Sequence, residues 1–170
     1  MQKLIQGIEI RKLEKHVDER GFFTEIFRKD WKDLIEDNSI AQANLSITYP
    51  NIIRAWHRHT KGQTDYFIAL KGAIKICAYD EKTKELNEII STSQDLQIVR
   101  MPGHYWHGFK AIGNEPAMLL YFTTKLYDYA NPDEERRPWD DQTLVPKSIN
   151  GKKDDPRVSK PWNWNYPPHK

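Results

Sequence analysis

The feature that most constrains this chain is a succession of short strand-forming runs, each ended by a turn signal. The runs cover residues 21–27, 41–49, 52–59, 66–70, 73–79, 96–101 and 117–123, and they favour β-branched and aromatic side chains. Tyr49-Pro50-Asn51, Lys71-Gly72, Pro102-Gly103 and Gly113-Asn114-Glu115-Pro116 separate them, supplying the fixed or left-handed backbone that turns need. One segment reads as helix: Asp30 as N-cap ahead of residues 31–35, with Asn38 ending it. Many short strands at this spacing, with one or two short helices, predict an all-β sandwich or barrel.

A chain of 170 residues is one domain by size and can bury a core unaided. Charged residues make up 29% with a net charge of +2, so no clustered basic face points to nucleic acid. A single cysteine, Cys77, excludes an internal disulfide framework and fits a reducing compartment. Its strand context predicts a buried structural thiol. The sequence contains no apolar run of the ~18 residues a membrane span needs, and residues 1–5 lack a signal-peptide core; the expected location is the cytoplasm. The C-terminal stretch changes character. Residues 150–156 are polar, and Pro161-Trp162-Asn163-Trp164-Asn165-Tyr166-Pro167-Pro168 is rich in proline and aromatics. The expected organisation is a main domain over 1–148 and an extension over 149–170 that packs on the barrel or on a partner.

Two strands carry the chemistry. In Gln42-Ala43-Asn44-Leu45-Ser46-Ile47-Thr48, alternation puts Gln42, Asn44, Ser46 and Thr48 on one face. In an ordinary half-buried sheet that face meets solvent; in a barrel it lines a wet cavity. In Arg54-Ala55-Trp56-His57-Arg58-His59, His57 and His59 share a face. Paired imidazoles are costly to bury unless bonded or ligating. A third, His107, sits in an aromatic strand between Trp106 and Phe109. Histidine suits proton transfer near neutral pH and metal binding. Abstraction of a proton α to a ketone requires a base, a donor for the enolate oxygen, and an acid on the opposite face. A histidine on one wall and a tyrosine such as Tyr121 on the other meet two of those needs.

Several segments resemble the dTDP-4-dehydrorhamnose 3,5-epimerase family of the cupin superfamily: Asp18-Glu19-Arg20-Gly21-Phe22-Phe23-Thr24-Glu25, Gln42 to Ser46, Ile53-Arg54-Ala55-Trp56-His57, Met101-Pro102-Gly103 through His107-Gly108-Phe109, Leu120-Tyr121, and Tyr127 to Pro132 through Trp139-Asp140-Asp141. The match runs in order from about residue 7 to residue 145. It implies a jelly-roll (double-stranded β-helix) homodimer without metal or organic cofactor. The implied activity is epimerisation of C3 and C5 of a nucleotide-linked 4-keto-6-deoxyhexose. By position, His57 resembles the base and Tyr121 the acid. Arg20, Glu25, Gln42, Asn44 and Arg54 resemble nucleotide and diphosphate contacts, and His107 a conserved pocket histidine. Arg54 and His57 stand three apart, so both reach one ligand only if a bulge lies between them.

The chain also departs from that pattern. Asp65 stands where the family has a lysine facing the enolate oxygen, which leaves His59, Lys61, His107 or Arg54 to take over. The loop from His57 to Gly72 is two residues short. The carboxylate that orients the catalytic histidine is missing, with Asp154 and Asp155 as substitutes. The same changes produce a second pattern, His57, His59, Asp65 and His107, which resembles the ligand set of metal-dependent cupin enzymes. A single-site epimerase, a 3,4-ketoisomerase and a non-catalytic sugar-nucleotide binder remain further readings.

Overall fold

The computed structural model describes residues 3–35 and 39–167. In chain order it contains β1 (Glu9–Lys12), β2 (His16–Asp18), β3 (Gly21–Phe23), α1 (Lys32–Ile35), β4 (Gln42–Thr48), β5 (Ile53–Arg58), β6 (Thr64–Lys71), β7 (Ala73–Asp80), β8 (Glu85–Thr92), β9 (Gln97–Pro102), β10 (Trp106–Ile112), β11 (Ala117–Thr123), β12 (Glu135–Arg136) and β13 (Ser148–Ile149). Two sheets face each other: β1-β9-β6-β11-β4 and β12-β5-β10-β7-β8-β13. All pairings are antiparallel except β13 with β8. The hairpin β2-β3 stands apart. This is the expected all-β jelly roll.

The main core lies between the sheets. Phe67 and Ala69 of β6, Ile74, Ile76 and Ala78 of β7, and Val99 and Met101 of β9 fill it with Phe109 and Leu119. The alternate residues of β6 and β7 are buried as well, on the outer faces. Tyr66 and Ile68 lie under Leu34 and Ile35 of α1. Cys77 and Tyr79 lie under the C-terminal segment with Trp56, Trp162 and Trp164. Burial on both faces explains why these strands read as nearly continuous apolar runs. The β6-β7 turn needs glycine: Gly72 has φ +68°, and a Cβ there would stand 3.0 Å from the Pro116 carbonyl oxygen.

Several boundaries differ from expectation. The strand expected over 21–27 stops at Phe23. Phe27 instead turns in to meet Tyr66 and Phe122 at ring separations of 5.9 and 5.2 Å, so apolar packing wins over strand pairing. Asp30 does not cap α1, because its carboxylate accepts two hydrogen bonds from Arg28; Asn38 lies outside the described residues. β1, β2, β8, β12 and β13 were not anticipated. β8 (ELNEIIST) carries Glu and Asn, which strands disfavour. Its Asn87 is fixed by accepting from the Ile5 amide and donating to the Lys3 carbonyl.

The C-terminal segment is continuous with the six-stranded sheet through β13. Trp162 and Trp164 are buried to 2% and 1% exposure, and the Trp162 amide donates to the Leu144 carbonyl. Cys77 is a buried free thiol, and its burial pushes its pKa well up. Among the described residues no helix is long and apolar enough to cross a membrane.

Candidate active site

The two sheets enclose an open-ended cavity of about 660 Å³. Its walls come from β4, β5, β6 and β11, and its rim from residues 127–137.

β4 turns its polar face into this space. Gln42, Asn44 and Ser46 line the cavity, while Leu45 and Ile47 on the other face are 61% and 54% exposed. The half-buried reading with polar residues outward is therefore overturned. This wall of the cavity is polar and the outer face of this edge strand is apolar. Gln42 Nε2 donates to Asn44 Oδ1 at 2.7 Å, and Gln42 Oε1 accepts from the Tyr127 amide at 3.0 Å. One glutamine thereby ties the wall to the rim.

β5 supplies Arg54 and His57 together. In its pairing with β10, His57 opposes His107 and Arg54 opposes Phe109. Three steps on β5 thus match two on β10, which is the bulge the sequence required. Both side chains line the cavity, and Arg54 Nε donates to Thr48 Oγ1 at 3.1 Å. Gly108 makes room for the bulge: a Cβ on it would lie 2.4 Å from the Ala55 Cβ.

At the inner end, three imidazoles surround one carboxylate. The rings of His57 and His107 are 4.2 Å apart, and those of His59 and His107 5.6 Å. Asp65 Oδ2 lies 3.3 Å from His107 Nε2 and 3.5 Å from His59 Nε2. Gln63 donates to Asp65 Oδ1 at 2.8 Å. His107 and Asp65 are almost wholly buried. Burial, with the neighbouring His107, lowers the pKa of His57 well below the ordinary value, more than Asp65 raises it. Burial alone would raise the Asp65 pKa, but its contacts with His107 and His59 outweigh that and hold it ionised. For His59, burial works against protonation, yet the Asp65 carboxylate prevails and raises its basicity.

Tyr121 stands on β11, opposite Asn44 of β4 and Phe67 of β6, and faces the cavity from the five-stranded sheet. Burial is the first reason its pKa is raised, with the Asp65 charge second. The phenol therefore keeps its proton.

Of the residues singled out from the sequence, Gln42, Asn44, Arg54, His57, His59, Asp65 and Tyr121 line the cavity, and His107 packs against its inner end. The others do not join them. Arg20 is 84% exposed at the tip of the β2-β3 hairpin and pairs with Asp18. Glu25 pairs with Arg28. Lys61 is exposed and donates to the Asn131 carbonyl. Asp155 is locked by Arg157 on the outer side of the six-stranded sheet, and Asp154 is exposed; neither orients His57. Gln63, Glu134 and Arg136 line the cavity without having been picked out, and Tyr127 and Tyr129, part of a segment that carries the resemblance, line it without having been named as site residues. Arg136 owes its place to β12, which pairs it with His57.

Comparison with known proteins identifies relatives of this chain. Residues 16–135 match a family described as "Polysaccharide biosynthesis C-terminal domain". The chain is 43% identical to the "Probable low-salt glycan biosynthesis epimerase Agl13" of Haloferax volcanii over 141 residues, 80% of this chain and 89% of that protein. It is 37% identical to the "Spore coat polysaccharide biosynthesis protein SpsL" of Bacillus subtilis over 146 residues, 83% of this chain and 94% of that one. In fold, it is similar to the crystal structure of a dTDP-4-dehydrorhamnose 3,5-epimerase from Elizabethkingia anophelis, with a TM-score of 0.73 at 19% identity over 98% of this chain and 86% of that one. The family match and these relatives mean that the chain belongs to the dTDP-4-dehydrorhamnose 3,5-epimerase family of sugar epimerases.

Proposed function

We propose that this protein epimerises a nucleotide-linked 4-keto-6-deoxy sugar in the cytoplasm, with His57 as base and Tyr121 as acid. The observation that carries this reading is the placement of the two groups on opposite sheets of one cavity, His57 on β5 and Tyr121 on β11. A depressed His57 pKa leaves a neutral imidazole able to accept a proton, and a raised Tyr121 pKa leaves a phenol able to give one.

His57 takes the proton α to the keto group, and the C–H electron pair becomes the enolate. Tyr121 then protonates the carbon from the other side, inverting it. An imidazolium and a phenolate remain, and proton exchange with solvent restores both. Arg54, with Gln42 and Asn44, holds the diphosphate and nucleotide, and the exposed Arg136 meets it at the rim.

Arg20 and Glu25 reach a nucleotide only from a partner subunit in this reading, so the active form is a homodimer. Support comes from the bare apolar surface: Val17, Phe22 and Phe23 on the hairpin are 75%, 55% and 65% exposed, as are Leu45 and Ile47 on β4. Patches of this kind mark interaction sites.

The test is NMR of dTDP-4-keto-6-deoxyglucose in D2O with the purified protein. Deuterium at both C3 and C5 is the expected result. One exchanged carbon makes it a single-site epimerase if the keto group stays at C4, and a 3,4-ketoisomerase if it has moved to C3. No exchange on this substrate or on its other nucleotide-linked 4-keto-6-deoxy analogues refutes the reading in favour of a binder.

A further inference from the structure

We infer that His59, Asp65 and His107 hold a divalent transition-metal ion at the inner end of the cavity, with His57 beside its open side. Four groups converge there: the ligand atoms of His57, His59, Asp65 and His107 all lie within 4.8 Å of one another.

The distances favour a shared ion over direct ion pairs. A hydrogen bond between an imidazolium and a carboxylate is about 2.7–2.9 Å long. The two contacts to Asp65 Oδ2 are 3.3 and 3.5 Å. Ligands about 2.0–2.1 Å from a tetrahedral metal stand roughly 3.4 Å apart, and both contacts match that edge.

The hydrogen-bond inventory points the same way. His107 Nδ1 lies 2.8 Å from the Tyr105 carbonyl oxygen, and His59 Nδ1 contacts the Asp133 carbonyl oxygen. A carbonyl only accepts, so each Nδ1 carries hydrogen and each neutral ring presents an Nε2 lone pair. Gln63 Nε2, a donor, sits 3.1 Å from His59 Nε2, which suits a lone pair there. At His107 the lone pair of the neutral ring faces the Asp65 carboxylate, acceptor to acceptor; a proton or a metal ion between them removes that conflict, and the 3.3 Å separation is long for the proton-bridged pair. Nδ1–H groups fixed by backbone carbonyls are the outer-shell arrangement that orients metal-binding histidines. Two or three imidazoles with one carboxylate suit Mn, Fe, Co, Ni or Zn.

The ion's role rests on the epimerase reading. Asp65 is a buried anion close to where enolate charge develops, and like charges at short range oppose each other. A divalent ion on Asp65 reverses the local sign and supplies an electrophile for the keto oxygen. This departs from the metal-free chemistry that the family resemblance implies.

The test is calorimetric titration of Zn²⁺ and Co²⁺ into full-length, untagged protein stripped with chelator. We expect one equivalent bound per chain. Asp65→Asn keeps the side-chain volume and His59→Ala lies at the cavity wall. Each should weaken binding by about 100-fold or more, at least the upper end of the cost of losing an outer-shell partner. His104→Ala, an exposed histidine outside the cluster, should bind as the parent does. Absence of saturable binding, or binding unchanged in both Asp65→Asn and His59→Ala, overturns the site. Circular dichroism of each variant confirms that it is folded. Because the titration reads no turnover, its result is independent of the deuterium-exchange test.

Discussion

Trp56 and His57 are neighbours in sequence, and so are Trp106 and His107, yet each pair is divided between two tasks. The tryptophans belong to the apolar cluster on the outer side of the six-stranded sheet, the histidines to the inner end of the cavity. Trp56 is 1% exposed and meets Trp164 at a ring separation of 4.7 Å. Trp106 lies between the guanidinium groups of Arg58 and Arg137, at 4.6 and 4.2 Å. The difference teaches that one strand can carry stability on one face and reactivity on the other, with pleat alternation keeping them apart.

Substitutions on the two faces should therefore have separable effects. The largest is expected for Trp164→Ala and His57→Ala taken together. Trp164→Ala should cost about 3–5 kcal/mol of unfolding free energy, as large aromatic truncations do, with the remaining folded enzyme turning over normally. His57→Ala should lower kcat by about 10²–10⁴, the usual contribution of a general base, and leave the denaturation midpoint nearly unchanged. Urea denaturation beside turnover separates the two. A catalytic loss from Trp164→Ala as deep as that from His57→Ala would dissolve the comparison.

Tyr121→Phe comes next. It keeps the ring against Phe67 and removes the proton donor, so inversion should slow by about 10²-fold or more while exchange of the abstracted proton continues. The pH profile sharpens this. Because the phenol pKa is raised above its ordinary value of 10, the acid form persists past that pH. The alkaline loss of kcat in the parent should thus begin above pH 10 and be missing in the variant.

The smallest effect on the single chain belongs to Leu45→Glu, on the bare face of β4. Unfolding free energy should change by less than about 0.5 kcal/mol, as for surface positions. Sedimentation should show the homodimer lost. A dimer that survives Leu45→Glu places the partner on another surface.

The parts of the site legible in the sequence were those set by alternation along a strand or by chemistry expensive to bury. Gln42, Asn44 and Ser46 revealed their shared face through period two, and the fold then chose cavity over solvent. His57, His59 and His107 were conspicuous because imidazoles in apolar strands need a reason. The bulge at Ala55-Trp56 was legible because Arg54 and His57 could not otherwise share a ligand. Arg136 was not legible, since β12 is two residues long and exists only by pairing with β5. Gln63 sits in a loop without periodicity. Arg20 and Glu25 were placed by resemblance and Lys61 as a stand-in for the lysine missing at Asp65, and order along the chain does not say where a hairpin or loop points. For Asp155, nothing local foretold that Arg157 would claim its carboxylate.

Gly103 and Gly108 flank the Tyr105-Trp106-His107 segment, and neither sits in a left-handed conformation. A side-chain carbon on Gly103 would lie 2.4 Å from the Gln63 carbonyl oxygen and 2.8 Å from the His59 Cβ; on Gly108 it would lie 2.4 Å from the Ala55 Cβ and 2.6 Å from the Arg54 carbonyl oxygen. These glycines are spacers that set how near β5 and its histidines come to β10. In a saturation library, both positions should look as intolerant as the histidines although they touch no ligand. A relative that keeps both spacers but lacks the histidines would have inherited the shape of this chamber without its reactivity, so the glycine pattern alone is a poor guide to which descendants still turn over sugars.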